Sequence, residues 1–165
     1  MDPALDRLVA RAEIVDLIAR YAITFDDQDW EALADLFTED ASFVVDEAGG
    51  HVGRADVLGF LSTCLPAGYV GKHFLSVPLV EIAADGRSAR SRTDVVWFTQ
   101  DFATTIIARY DDDLVRGHDG RWRIRRRHEK TVPYREGSPP MSDAALALSR
   151  STMHQRQAPP PVPES

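Results

Sequence analysis

Asp26 and His73 are each of a type that can take part in acid–base chemistry. A carboxylate can orient an imidazole and stabilise its protonated form, and an imidazole exchanges protons near neutral pH. At about 100° per residue, Asp26 falls within roughly 20° of Val15 on a helix wheel. It therefore continues an apolar stripe, whereas Asp27 points away. A carboxylate on a buried face is costly unless paired; the alternative is a helix-terminal residue turned to water, or a cap for the next helix. His73 opens a strand and shares parity with Leu75 and Val77, so it faces whatever they face; a structural or exposed histidine is the alternative there. Tyr21 precedes Asp26 by five residues and lies roughly 140° from it on the wheel. Its ring can pack, or its hydroxyl can donate a hydrogen bond. Arg127 closes the basic run Arg121–Arg127. Strict alternation sets Arg121, Arg123, Arg125 and Arg127 opposite Trp122 and Ile124, and a bulge would exchange the two faces. The run as a whole is expected to be a solvated face paired with Asp111–Asp113. Cys64, in the apolar stretch Leu58–Leu65, is expected to be buried and inert. His51 and His118 fall in loops, His128 in a basic strand and His154 in the tail. No His, Asp, Glu or Cys set has ligand spacing, so no metal is expected.

Helices come first along the chain. Leu5, Leu8, Val9, Ala12, Val15, Ile18, Ala22 and Phe25 recur at helical spacing and predict one long helix over residues 4–26. Asp29 is placed to cap a second helix, Trp30–Phe37, with Thr38-Glu39-Asp40 as a turn. Ala41–Val45 alternates as a short strand, Asp46–Gly53 is expected to be loop, and a third helix follows at Arg54–Leu65. The remainder is sheet. Strands are expected at Lys72–Val77 and Leu79–Ala83, broken at Pro78, and at Ser88–Gln100, Thr104–Arg116 and Trp122–Val132. The order predicts an α+β domain over residues 1–133, with three N-terminal helices packed against a curved, mostly antiparallel sheet. Residues 134–165 are expected to be a C-terminal extension. Seven of the ten prolines lie from Pro133 onward, ending in the proline-rich tail Ala158–Ser165, and Asp143–Ser149 is the one stretch with a short helical pattern.

The chain's 165 residues suit one domain with a substantial core. A net charge of −7 argues against nucleic acid or an anionic membrane as partner. No apolar run approaches the length of a membrane span, and a single cysteine fits a reducing cytoplasm.

Several stretches resemble the SnoaL-like branch of the NTF2-like superfamily. They are Tyr21 to Trp30 with Leu33, Phe37 and Asp40; Gly53-Arg54; Lys72-His73-Phe74; Arg109-Tyr110-Asp111-Asp112; and Gly120-Arg121-Trp122-Arg123-Ile124. The resemblance covers about residues 5–133. It implies a cone-shaped fold and an Asp–His dyad in a closed apolar pocket, without metal or organic cofactor, with Asp26 and His73 at the dyad positions. Tyr21 falls where the bile acid dehydratase of this branch has a tyrosine and the hexachlorocyclohexane dehydrochlorinase a lysine, and Arg127 matches a pocket arginine of both. Scytalone dehydratase differs, with a tyrosine where this chain has Phe25 and a second pocket histidine that Val95–Thr99 lacks.

The resemblance implies a cofactor-independent, dehydratase-type lyase. His73 would be the base, Asp26 would hold its tautomer, Tyr21 would donate a hydrogen bond and Arg127 would stabilise developing negative charge. Phe25, Phe43, Leu75, Trp97, Phe98 and Ile106 are the expected lining, for a hydrophobic, polycyclic or polyketide-like substrate. An isomerase or cyclase using the same dyad, and a non-catalytic ligand-binding or assembly module, are the alternatives. Self-association, as a trimer first and a dimer second, is expected to cover the outer face of the sheet.

Overall fold

Helix α1 (Pro3–Asp26) starts where the sequence supplies a cap: the Asp2 carboxylate accepts from the Ala4 amide at 2.9 Å, ahead of a proline in the first turn. The computed structural model describes residues 2–46, 49–64, 70–100 and 105–132. The helix buries Ala10, Ile14, Leu17, Ile18, Tyr21, Ala22 and Phe25, whereas Leu5, Leu8 and Val9 are exposed. The expected stripe was therefore misaligned. The sheet covers α1 only from Ala10 onward, and on the face that carries Ile14 and Tyr21. Gln28, at φ 56°, turns the chain after α1, and the Asp29 carboxylate caps α2 (Trp30–Ala34) through the Ala32 amide at 3.0 Å.

Helix α2 is shorter than expected, and the reason is tertiary. The Leu36 carbonyl accepts from the Ile124 amide at 2.8 Å, and Phe37 pairs with Ile124. Strand β1 (Phe37–Val45) thus absorbs the expected turn Thr38-Glu39-Asp40, which becomes an irregularity between Phe37 and Ser42. It runs parallel to the last strand. The expected loop after it contains β2 (Gly49–Val52), antiparallel to β1. Gly53, at φ 91°, leads into α3 (Arg54–Thr63), which packs on β1.

Strands β3 (Gly71–Leu75) and β4 (Leu79–Ile82) are separate and pair with successive parts of β5 (Ser88–Thr99), because Pro78 interrupts the ladder between them. Strands β6 (Thr105–Arg116) and β7 (Trp122–Thr131) complete the sheet, in the order β2-β1-β7-β6-β5-β3 with β4 also on β5. All described pairings are antiparallel except β1 with β7. The result is an α+β fold in which a curved sheet wraps α1.

In β7 the register changes. Asp113 pairs with Arg126 but Leu114 pairs with Ile124, leaving Arg125 as an extra residue. This bulge brings Arg127 onto the same face as Trp122 and Ile124, and all three are buried. The chain divides into two units, Met1–Val132 and Pro133–Ser165. The second, with the expected Asp143–Ser149 helix and proline-rich tail, lies outside the described residues. No described helix is long and apolar enough to cross a membrane.

Candidate active site

Asp26 ends α1 at the edge of its buried arc, and His73 sits in β3, which lies against that helix end. Their contact is double. His73 Nδ1 lies 2.6 Å from Asp26 Oδ1, and the His73 backbone amide donates to Asp26 Oδ2 at 2.9 Å. Both side chains are only 4% exposed, so the Asp26 carboxylate has its partners inside the protein. A carboxylate only accepts, so Nδ1 carries a proton, and in the neutral imidazole Nε2 then keeps its lone pair. Nε2 lies 3.2 Å from the Tyr110 hydroxyl, which donates to it. Lys72 reaches the outer side of the cluster, 4.0 Å from Asp26 and 3.2 Å from Asp27.

Aromatic edges hold the imidazole in place. Its ring centroid is 5.2 Å from Phe25 and 6.0 Å from Tyr21, both near-perpendicular. A side chain on Gly71 would strike the Trp97 indole, so the glycine lets that ring lie across the start of β3. His73 opens on a mainly apolar cavity of about 180 Å³, lined among the described residues by Tyr21, Phe25, Phe60, Trp97, Ile106 and Tyr110 together with Val45, Leu61, Val95, Cys64 and Glu129.

Arg127 does not line this cavity. Its guanidinium is fully buried, 4.0 Å from the ring centroids of both Tyr21 and Tyr110. Nε and Nη2 donate to the Asp112 oxygens at 2.7 and 2.8 Å, and Ser91 Oγ donates to the same carboxylate at 3.3 Å. Asp112 and Arg127 face each other across β6 and β7 in the register that the bulge sets. Burial by itself would lower the Arg127 pKa; the Asp112 charge and hydrogen bonds override this and hold it above the ordinary value. Burial pushes the Tyr21 and Tyr110 hydroxyls well up, so both stay protonated donors. It likewise raises Glu129, against the nearby Arg127 charge.

The expected lining divides. Phe25, Trp97 and Ile106 border the cavity. Phe43 lies in the core against Phe60, and Leu75 packs at the core margin. Phe98 stacks on Phe74 at 5.2 Å on the opposite face of the sheet, because neighbouring residues of β5 cannot share a face with Trp97. Cys64 is exposed as a residue rather than buried as expected. Its sulfur borders the cavity, where burial and the Glu129 charge push the thiol up and keep it from being a thiolate.

In the sequence Tyr110 and Asp112 stand out only within the stretch Arg109–Asp112, with Asp112 an expected surface partner of the arginine run and neither an expected cavity or core residue, and Glu129 does not stand out at all. For the first two a signal existed: Ala108, Tyr110, Asp112 and Leu114 share one parity in β6, and all four are buried. Of the arginine run only Arg126 meets an acidic residue on the surface of β6 as expected, pairing with Asp113, while Asp111 pairs with Arg92 and Lys130 and Asp113 also with Arg90. Glu129 had no such signal, because its orientation depends on the bulge. Among the described residues no group of three or more His, Cys, Asp or Glu side chains is arranged to hold a metal ion.

Residues 6–128 match the family described as SnoaL-like domain. No curated protein matches the sequence. Among solved structures, the chain is similar to a protein of unknown function from Mycobacterium tuberculosis, with a TM-score of 0.72, 24% identity and 95% of each chain covered. It is similar to an NTF2-like protein with a cystatin-like fold from Novosphingobium aromaticivorans, with a TM-score of 0.68, 29% identity, and 88% of this chain and 92% of the other covered. A hexachlorocyclohexane dehydrochlorinase aligns with a TM-score of 0.66 and 22% identity, covering 84% of this chain and 99% of its own.

Proposed function

The chain belongs to the SnoaL-like domain family, and on that premise we propose that it is a cofactor-independent lyase of dehydratase type acting on a hydrophobic small molecule. The observation that carries this reading is the doubly bonded Asp26–His73 pair at the wall of an apolar cavity. Asp26 fixes the tautomer in which Nε2 is the base, and its charge stabilises the imidazolium once a proton is taken. In the reaction, Nε2 removes a proton from a carbon next to an activating carbonyl, the electron pair forms the new double bond, and a hydroxyl on the neighbouring carbon leaves as water by taking that same proton back from the imidazolium, which restores the neutral base.

Tyr110 gives up its contact with Nε2 as the substrate's C–H takes that place. Its protonated hydroxyl then donates to the carbonyl oxygen on which negative charge develops. Tyr21 borders the same cavity and is the second donor available there. Arg127 acts through these two rings as a positioning residue: it holds both against its guanidinium and is not among the described residues that line the cavity. Positioned general-base catalysis of this kind contributes about 10²–10⁴-fold.

The test is a screen of hydrophobic β-hydroxy carbonyl compounds, followed by mass spectrometry for the loss of one water. His73→Ala and Asp26→Asn should each abolish turnover in folded protein. Full activity in His73→Ala would refute the mechanism, and conversion without a mass change would move the assignment to an isomerase or cyclase.

A further inference from the structure

Glu129 is the one acidic side chain among the described residues lining the cavity, and the elimination described above makes no use of it. By register it lies between Tyr110 on β6 and Val45 on β1, with its side chain on the cavity face. Among the described residues no donor reaches its carboxyl group. Its neighbour Arg127 gives Nε and Nη2 to Asp112, and its Nη1, which has no partner, does not reach Glu129 either; Tyr110 is at His73 Nε2. A carboxyl group in an apolar enclosure without a partner is unfavourable by itself. A ligand group that can both donate and accept a hydrogen bond would satisfy it in either protonation state.

The size of the enclosure limits what carries that group. His73 and Glu129 stand on β3 and β7, separated in the sheet order by β5 and β6. Three strand spacings of about 4.8 Å each put their backbones roughly 14 Å apart along the sheet, and curvature shortens this. With two side chains reaching inward, the remaining gap spans about one ring. A volume of about 180 Å³ agrees, since an apolar cavity of about 150 Å³ holds a benzene molecule. A single ring with one substituent fills that volume.

We propose that Glu129 is a specificity-determining residue that hydrogen-bonds a hydroxyl on a single-ring substrate, across the cavity from His73. The inference rests on this cavity being the substrate site of the lyase, and it narrows the substrate class to hydroxylated monocyclic compounds.

Phenol and toluene are suitable probes, because they share a ring and differ by a hydroxyl in place of a methyl. Their dissociation constants are measured by ligand-observed NMR on the full-length wild type, Glu129→Leu and Glu129→Gln. The preference for phenol over toluene should fall about 10-fold in Glu129→Leu, the value of one good hydrogen bond. Glu129→Gln, which keeps a donor and an acceptor, should retain most of it. Glu129→Ala repeats the comparison if circular dichroism shows that leucine is not accommodated. An unchanged preference in the variant lacking the carboxyl, or failure of the wild type to bind either ring, would overturn the proposal. Neither result bears on the His73 and Asp26 variants, whose turnover tests the base separately.

Discussion

Replacing Asp26 by asparagine preserves the shape of the side chain while reversing one of its hydrogen-bonding roles. The outcome is dictated by the second contact. The His73 backbone amide can only donate, and it donates to Asp26 Oδ2 at 2.9 Å. In Asp26→Asn the carbonyl oxygen must take that position, which turns the Nδ2 amide toward His73 Nδ1. Nδ1 must then accept, so the imidazole proton moves to Nε2, where it can donate to the Tyr110 hydroxyl. The base atom is lost and so is the charge that stabilises the imidazolium. The equivalent exchange in a hydrolytic triad lowers turnover about 10⁴-fold, or about 5.5 kcal/mol in the transition state, and a loss of that order is expected here. The tautomer itself needs no substrate to observe. Long-range 1H–15N correlation spectra should show a protonated Nδ1 in the wild type and a protonated Nε2 in the variant, with the fold otherwise unchanged. An Nδ1-protonated ring in both proteins, or a variant that retains turnover, would refute this reasoning.

Four further outcomes are expected. Arg127→Met should destabilise the fold by about 3–5 kcal/mol, because it strands the Asp112 charge in the interior, and Arg127→Met with Asp112→Leu should recover most of that; equal melting temperatures for the single and double variants would contradict the pairing. Tyr110→Phe should leave the fold intact and reduce turnover about 10-fold, through one lost hydrogen bond in the transition state; an unaltered rate would remove Tyr110 from the chemistry. Burial holds the folded Glu129 carboxyl above its unfolded value, so the folded state binds more protons in between and stability falls as pH rises through that window. Glu129→Gln should therefore gain stability over the wild type as pH rises from the ordinary carboxylate range, with the two converging below it; a difference in thermal melts that does not vary with pH would disprove the assignment. On the outer face of β3 and β6, Phe74 and Ile107 are exposed, and we propose that a second or third copy of the chain covers this face; light scattering that shows only monomers at micromolar concentration would exclude it.

The sequence by itself determined most of the elements and their order, and less of their facing. Helix α1 was legible because an apolar period and a polar terminus at Asp26 are local properties, each written within a few residues; the cap at Asp2 was seen only in the structure. Asp26 stood out because it falls in line with apolar positions of its helix, whereas His73, at a strand start, drew its proposed role from the family resemblance. The family resemblance then joined two residues that lie 47 positions apart. Tertiary structure decided what depends on pairing between distant strands. A hydrogen bond from Ile124 cut α2 short and drew Phe37 into the sheet. One extra residue at Arg125 turned Arg127 inward to meet Asp112, and set Glu129 on the cavity wall. Strand periodicity is exactly two, so a single bulge reverses the facing of everything beyond it. No local pattern in a run of arginines records where that bulge falls; it is fixed by whichever register lets the buried charges find each other.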